Sequence, residues 1–71
     1  MKKKITIEGM SCMHCVDHVK DALNELSGVK EVDVNLSAGT AIIESTGNIT
    51  DDQIKAAIDD AGYEVLSITE P

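Results

Sequence analysis

The chain has 71 residues, enough for one domain, read here as spanning residues 1–71. A domain this small buries only about 60% of its unfolded surface, which argues against a deep substrate cleft and a complex enzyme. It has no Phe, no Trp and one Tyr, so its core must be aliphatic. Its formal net charge of -7 argues against nucleic acid and against anionic membrane surfaces, both of which would repel it.

Lys2-Lys3-Lys4 carries the charge of a signal-peptide start, but Thr6, Glu8 and Gly9 interrupt any apolar run behind it. No stretch is long and apolar enough to insert in a membrane. The expectation is a cytoplasmic protein with both thiols reduced. Ile5 and Ile7 alternate with Lys4, Thr6 and Glu8 as in a half-buried strand, and Gly9 to Cys12 reads as a loop. Val16, Val19, Leu23 and Leu26 follow at helical spacing, with Gly28 placed to end that helix in a left-handed cap. Val32, Val34 and Leu36 alternate as a second strand. Ser37-Ala38-Gly39 turns it back into an antiparallel third strand from about Thr40 to Ser45.

Thr50-Asp51-Asp52-Gln53 reads as a capping box at a second helix, its two aspartates suiting the positive end of the helix dipole. Ile54, Ala57, Ile58 and Ala61 form the buried stripe of that helix, and Gly62 stops it. Tyr63, Val65, and then Leu66 and Ile68 make a last strand, and the sole proline, Pro71, is terminal. Strand–helix–strand occurs twice, with a weak echo between the halves. The expected fold is α+β: a ferredoxin-like βαββαβ sandwich, with a four-stranded antiparallel sheet covered on one face by two helices.

The chemistry concentrates in Gly9-Met10-Ser11-Cys12-Met13-His14-Cys15, which holds both cysteines of the chain. Cys12 falls in the loop and Cys15 in the first helical turn, so both sulfurs can converge on one point. Unpaired backbone N–H groups and the positive end of the dipole meet there and favour thiolate. Three chemistries could use such a pair. A structural zinc site needs four ligands, and a helix cannot easily bring Cys12, Cys15, His14 and His18 to one tetrahedral ion. Thiol–disulfide exchange uses the same spacing, but the chain has no internal proline to supply the cis-proline that faces the motif in thioredoxin-like enzymes. A soft monovalent ion such as Cu(I) accepts two thiolates and stays open to a third.

"GMSCMHC" between a strand and a helix, with "AGYEV" after the second helix, resembles the heavy-metal-associated domain family. The likeness is closest to its small bacterial copper chaperones of the CopZ type and covers about Lys3 to Ile68 in order and spacing. It implies a βαββαβ fold and a non-enzymatic copper chaperone that binds Cu(I), with Ag(I) able to take the same sulfurs. By this resemblance Cys12 and Cys15 match the family's metal ligands, and the cargo is expected to pass by ligand exchange to a copper-transporting P-type ATPase. A copper-bridged homodimer is a further possibility within the family. Met10 matches a methionine that packs beneath the loop. His14 matches a histidine that tunes the thiols or joins copper-bridged dimers, and Tyr63 matches an aromatic residue near the metal loop. Ser11 stands where zinc- or cadmium-handling members often carry Asp, which leaves an all-sulfur site and favours copper.

Met13 is expected at the surface between the cysteines and His18 as a solvated helix residue. The pairs Asp51-Asp52 and Asp59-Asp60 are read as helix cap and solvated face, with surplus charge able to steer a partner. Met1 at the start and Pro71 at the end, without a linker, favour a free-standing protein over an excised amino-terminal domain of a copper ATPase. A dithiol oxidoreductase is the alternative of a different class, separable by its reduction potential and a disulfide-reduction assay.

Overall fold

The order of elements follows the apolar spacing. In the computed structural model, β1 (Lys2–Glu8), α1 (Met13–Asn24), β2 (Val29–Asn35), β3 (Thr40–Ser45), α2 (Asp51–Asp60) and β4 (Glu64–Thr69) succeed one another. The structure describes residues 2–47 and 49–70; Met1, Asn48 and Pro71, including the terminal placement of Met1 and Pro71, lie outside the described residues. The strands form one sheet in the order β2-β3-β1-β4, and every neighbouring pair is antiparallel. This is the expected ferredoxin-like sandwich.

The central strands carry the core. Ile5 and Ile7 of β1 and Ala41 and Ile43 of β3 turn to the helix-covered face and are buried. Val16, Val19 and Leu23 of α1 and Ile54 and Ile58 of α2 close over them. The outer strands contribute Val32, Val34, Val65 and Ile68, which are only half-buried, because an edge strand has a neighbour on one side alone.

Both ends of α2 are built locally. Thr50 Oγ1 accepts from the Gln53 N–H at 3.2 Å while Gln53 Oε1 accepts from the Thr50 N–H at 3.0 Å, completing the capping box. Ile49 before the cap and Ile54 four residues into the helix are both buried, the two positions of a hydrophobic staple. At the other end Gly62, with φ +94°, donates to Asp59 O and Tyr63 donates to Ile58 O. These two bonds are a Schellman motif, which needs a residue free to adopt left-handed backbone. Lys3 Nζ reaches Asp51 Oδ1 at 2.8 Å and ties β1 to the start of α2.

Three boundaries differ from the sequence reading. Helix α1 ends at Asn24, with Glu25 as its C-cap, so Leu26 lies past its end and Gly28 does not cap it. Gly28 instead occupies the positive-φ position of a turn closed by Val29 N–H to Leu26 O at 3.2 Å. Leu36 belongs to the β2–β3 turn, where its carbonyl accepts from Gly39 N–H. Tyr63 precedes β4, and the pairing shifts between Thr6–Ser67 and Ile7–Val65, leaving Leu66 as an extra residue. That bulge lets Val65 and Ile68, three apart, face the core together, while Leu66 is 57% exposed.

Candidate metal site

Gly9 to Cys12 carries the chain from the end of β1 over the edge of the core into α1. Met10 anchors this loop: its side chain is buried in the apolar cluster, as a core methionine. Ser11 and Met13 stay in solvent, Met13 at 65% exposure. His14 and His18 are exposed on α1.

Cys12 is the N-cap of α1, in extended backbone, and its sulfur accepts from the Cys15 N–H at 3.3 Å. Three residues on, the Cys15 sulfur lies 2.8 Å from that of Cys12. The pair therefore repeats with sulfur the capping-box spacing seen at Thr50 and Gln53. The spacing that lets a side chain satisfy the third amide of a helix also brings two side chains three apart to one point. Both thiols are free; Cys12 is exposed and Cys15 half-buried.

The surroundings favour negative sulfur at Cys15, whose pKa falls from 9.0 to about 6. The main cause is the Cys12 thiol hydrogen-bonded to it, followed by the Tyr63 hydroxyl and the backbone of Ser11. Partial burial opposes the fall, and the Cys12 backbone adds a last contribution to it. Tyr63 pays the reciprocal effect: its hydroxyl is pushed up to about 12, because it donates to Cys15, because it is partly desolvated, and because thiolate charge lies nearby. Tyr63 reaches this position from the far end of the chain because the Schellman turn after α2 delivers it beside the loop. Its Cδ1 would lie 3.5 Å from a Cβ at Gly9, so the bare glycine backbone is the surface its ring approaches. The sequence reading took Gly9 only as a loop residue. Its place directly before the sulfur-rich motif was the available signal.

The structure thus brings Cys12, Cys15 and Tyr63 together. Among the described residues no three His, Cys, Asp or Glu side chains are grouped so as to hold a metal ion. Three surface hollows of about 260 to 320 Å³ are lined by residues other than the cysteines, and Tyr63 borders one of them. Among the described residues no helix is long and apolar enough to cross a membrane.

Comparison with known proteins shows the family and the fold. Residues 4–64 match the family model of the heavy-metal-associated domain. The chain is 47% identical over 62 residues to the copper chaperone CopZ of Staphylococcus saprophyticus, covering 86% of this chain and 91% of that one. It superposes on a solved CopZ metallochaperone with a TM-score of 0.87 and 39% identity, covering 93% of this chain and 100% of that one. It is also similar to a copper binding domain from HMA7, a P-type ATPase, with a TM-score of 0.83, 32% identity, and coverage of 96% of this chain and 97% of that one.

Proposed function

The chain belongs to the heavy-metal-associated domain family, and from that premise we propose that it is a cytoplasmic, non-enzymatic carrier of Cu(I). Cys12 and Cys15 are the two thiolate ligands, and Ag(I) takes the same sulfurs. The observation that carries this reading is the sulfur pair itself: two free thiols 2.8 Å apart on an exposed helix tip, with Cys15 acidic enough to be thiolate at neutral pH.

Thiolates select soft ions, and Cu(I) is stable with two or three of them. Two metal–sulfur bonds of about 2.3 Å span at most about 4.6 Å, so the sulfurs must part by almost 2 Å to approach a linear site. Cys12 is free to make that movement, because it is exposed and only half within the helix. Cys15 stays held by Tyr63 and the loop amides. A partner thiolate then approaches the open flank of the ion, a three-coordinate bridge forms, and one sulfur of this chain lets go. Cys15 is the better leaving group, since the environment that lowers its pKa also stabilises it once metal-free. No electron changes hands, and copper is never free in solution.

The receiver is a copper-transporting P-type ATPase, a reading supported by the likeness to the HMA7 domain and the chaperone relatives. The same likeness supports a second reading, in which the chain is itself the amino-terminal metal-binding domain of such an ATPase. The two differ in direction of transfer: a carrier loads the isolated ATPase domain, and a receiver is loaded by a separate chaperone. An anaerobic Cu(I) titration against a calibrated chelator, run beside Zn(II), tests the shared site. One Cu(I) per chain is expected, lost in the C12S/C15S double variant. Tight Cu(I) binding retained in that variant would refute the ligand assignment.

A further inference from the structure

The outward face of α1 carries a second constellation of metal-binding side chains. His14 and His18 are one turn apart, and both are exposed. At about 100° per residue they lie within about 40° of each other around the helix axis. Val16, Val19 and Leu23, the buried residues of α1, lie on the opposite side. Side chains four apart on a helix have Cβ atoms about 5–6 Å from each other, the spacing by which the two histidines of helical H-E-x-x-H motifs grip one ion. Cys15 is about 60° round the helix from His18 and about 100° from His14, and Cys12 is on the cap before α1. Among the described residues neither sulfur gathers with the imidazoles into a group of three ligands, so the two pairs address different points.

We propose that His14 and His18 form a separate chelating site for a borderline divalent cation of the Zn²⁺ or Ni²⁺ class. Imidazole suits such ions, whereas the soft Cu(I) prefers sulfur. Among the described residues no third His, Cys, Asp or Glu groups with them into a metal cluster, so water completes the coordination. The local charge favours a cation. Asp21 and Glu25 continue the same stripe toward the end of α1, and they line, with His18 and Asp60 of α2, a hollow of about 260 Å³. Their field offsets the positive end of the α1 dipole near His14. Chelation by the second imidazole is intramolecular, so losing either ring weakens binding by the whole chelate advantage.

The C12S/C15S variant isolates this site, because it removes the competing thiols. The test therefore succeeds or fails independently of the Cu(I) reading. Titrated with Ni(II), that variant is expected to bind one ion, with the ring protons of His14 and His18 broadening together at one midpoint. Adding H14Q or H18Q should weaken Ni(II) binding by about tenfold or more. Adding H18Q/K20H restores the count of two histidines but places them on different faces of α1, and it should bind no better than H18Q alone. Removing Lys20 makes the surface more attractive to cations, so this control is biased against the proposal. Broadening of one ring alone, an affinity unchanged by H18Q, or recovery of affinity in the H18Q/K20H background would overturn the chelate.

Discussion

Replacing Tyr63 with Phe removes one hydroxyl and should make the metal-free site measurably less acidic. In the wild type a Cys15 pKa of about 6 puts the thiolate-to-thiol ratio at pH 7 near 10 to 1. A thiol left at 9.0 would sit near 1 to 100. The Tyr63 hydroxyl is the second-largest cause of the fall, after the Cys12 thiol. The expected order of Cys15 pKa is therefore wild type, then Y63F, then C12A, all below 9.0. Thiolate absorbance near 240 nm, followed from pH 4 to 10 under anaerobic conditions, reads each midpoint. Stability follows the same linkage. Between about 6 and 9 the folded chain binds fewer protons at Cys15 than the unfolded chain, so this contribution grows as pH rises through that window and is lost as pH falls to 6. Above pH 10 Tyr63 works in the opposite sense, because its folded pKa is raised to about 12. A wild-type midpoint near 9, or a Y63F titration superimposable on the wild type, would refute the assignment of Tyr63 as a donor to Cys15.

Cu(I) at about a thousandfold above its dissociation constant should add about 4 kcal/mol. At about 4–8 °C per kcal/mol for a domain of this size, anaerobic calorimetry should show a rise of more than about 15 °C; a flat response would count against a folded-state Cu(I) site. The C12S/C15S variant should show no such rise while staying folded, since serine is itself a good N-cap for α1; loss of its circular dichroism would contradict the N-cap role. T50A should lose about 1 kcal/mol in urea denaturation, because it removes the acceptor for Gln53 N–H. L23A should lose about 2–5 kcal/mol, because Leu23 is fully buried; a loss under 1 kcal/mol would mean that the helix does not pack as described.

Much of the fold was legible because its cues are local. The Thr50–Gln53 box, the Ser37–Gly39 turn and the stripe of Val16, Val19 and Leu23 each need only neighbours within a turn or two of chain. Their reading survived intact. What failed was decided by distant contacts. The helical spacing of Leu26 continues the α1 pattern, but Leu26 and Gly28 are taken up in the turn that starts β2. Leu66 and Ile68 do lie in β4 as read, but alternation alone could not place a bulge whose position depends on pairing with β1. Ile49 was passed over because a single isoleucine in a loop has no period to betray it; its burial follows from the staple with Ile54.

The sulfur pair divides in the same way. Cys12 and Cys15, three apart across a helix start, are by themselves enough to let two sulfurs meet, because the N-cap and the third residue of a helix share one side of its first turn. The acidity of Cys15 is another matter. Its largest cause, the Cys12 thiol, is local, but the second is Tyr63, which lies 48 residues further along the chain and arrives only because the sheet order places the end of α2 beside the loop after β1. Hydrogen bonds act over about 3 Å, so a donor remote in sequence can tune a thiol only after the whole sheet and both helices have assembled.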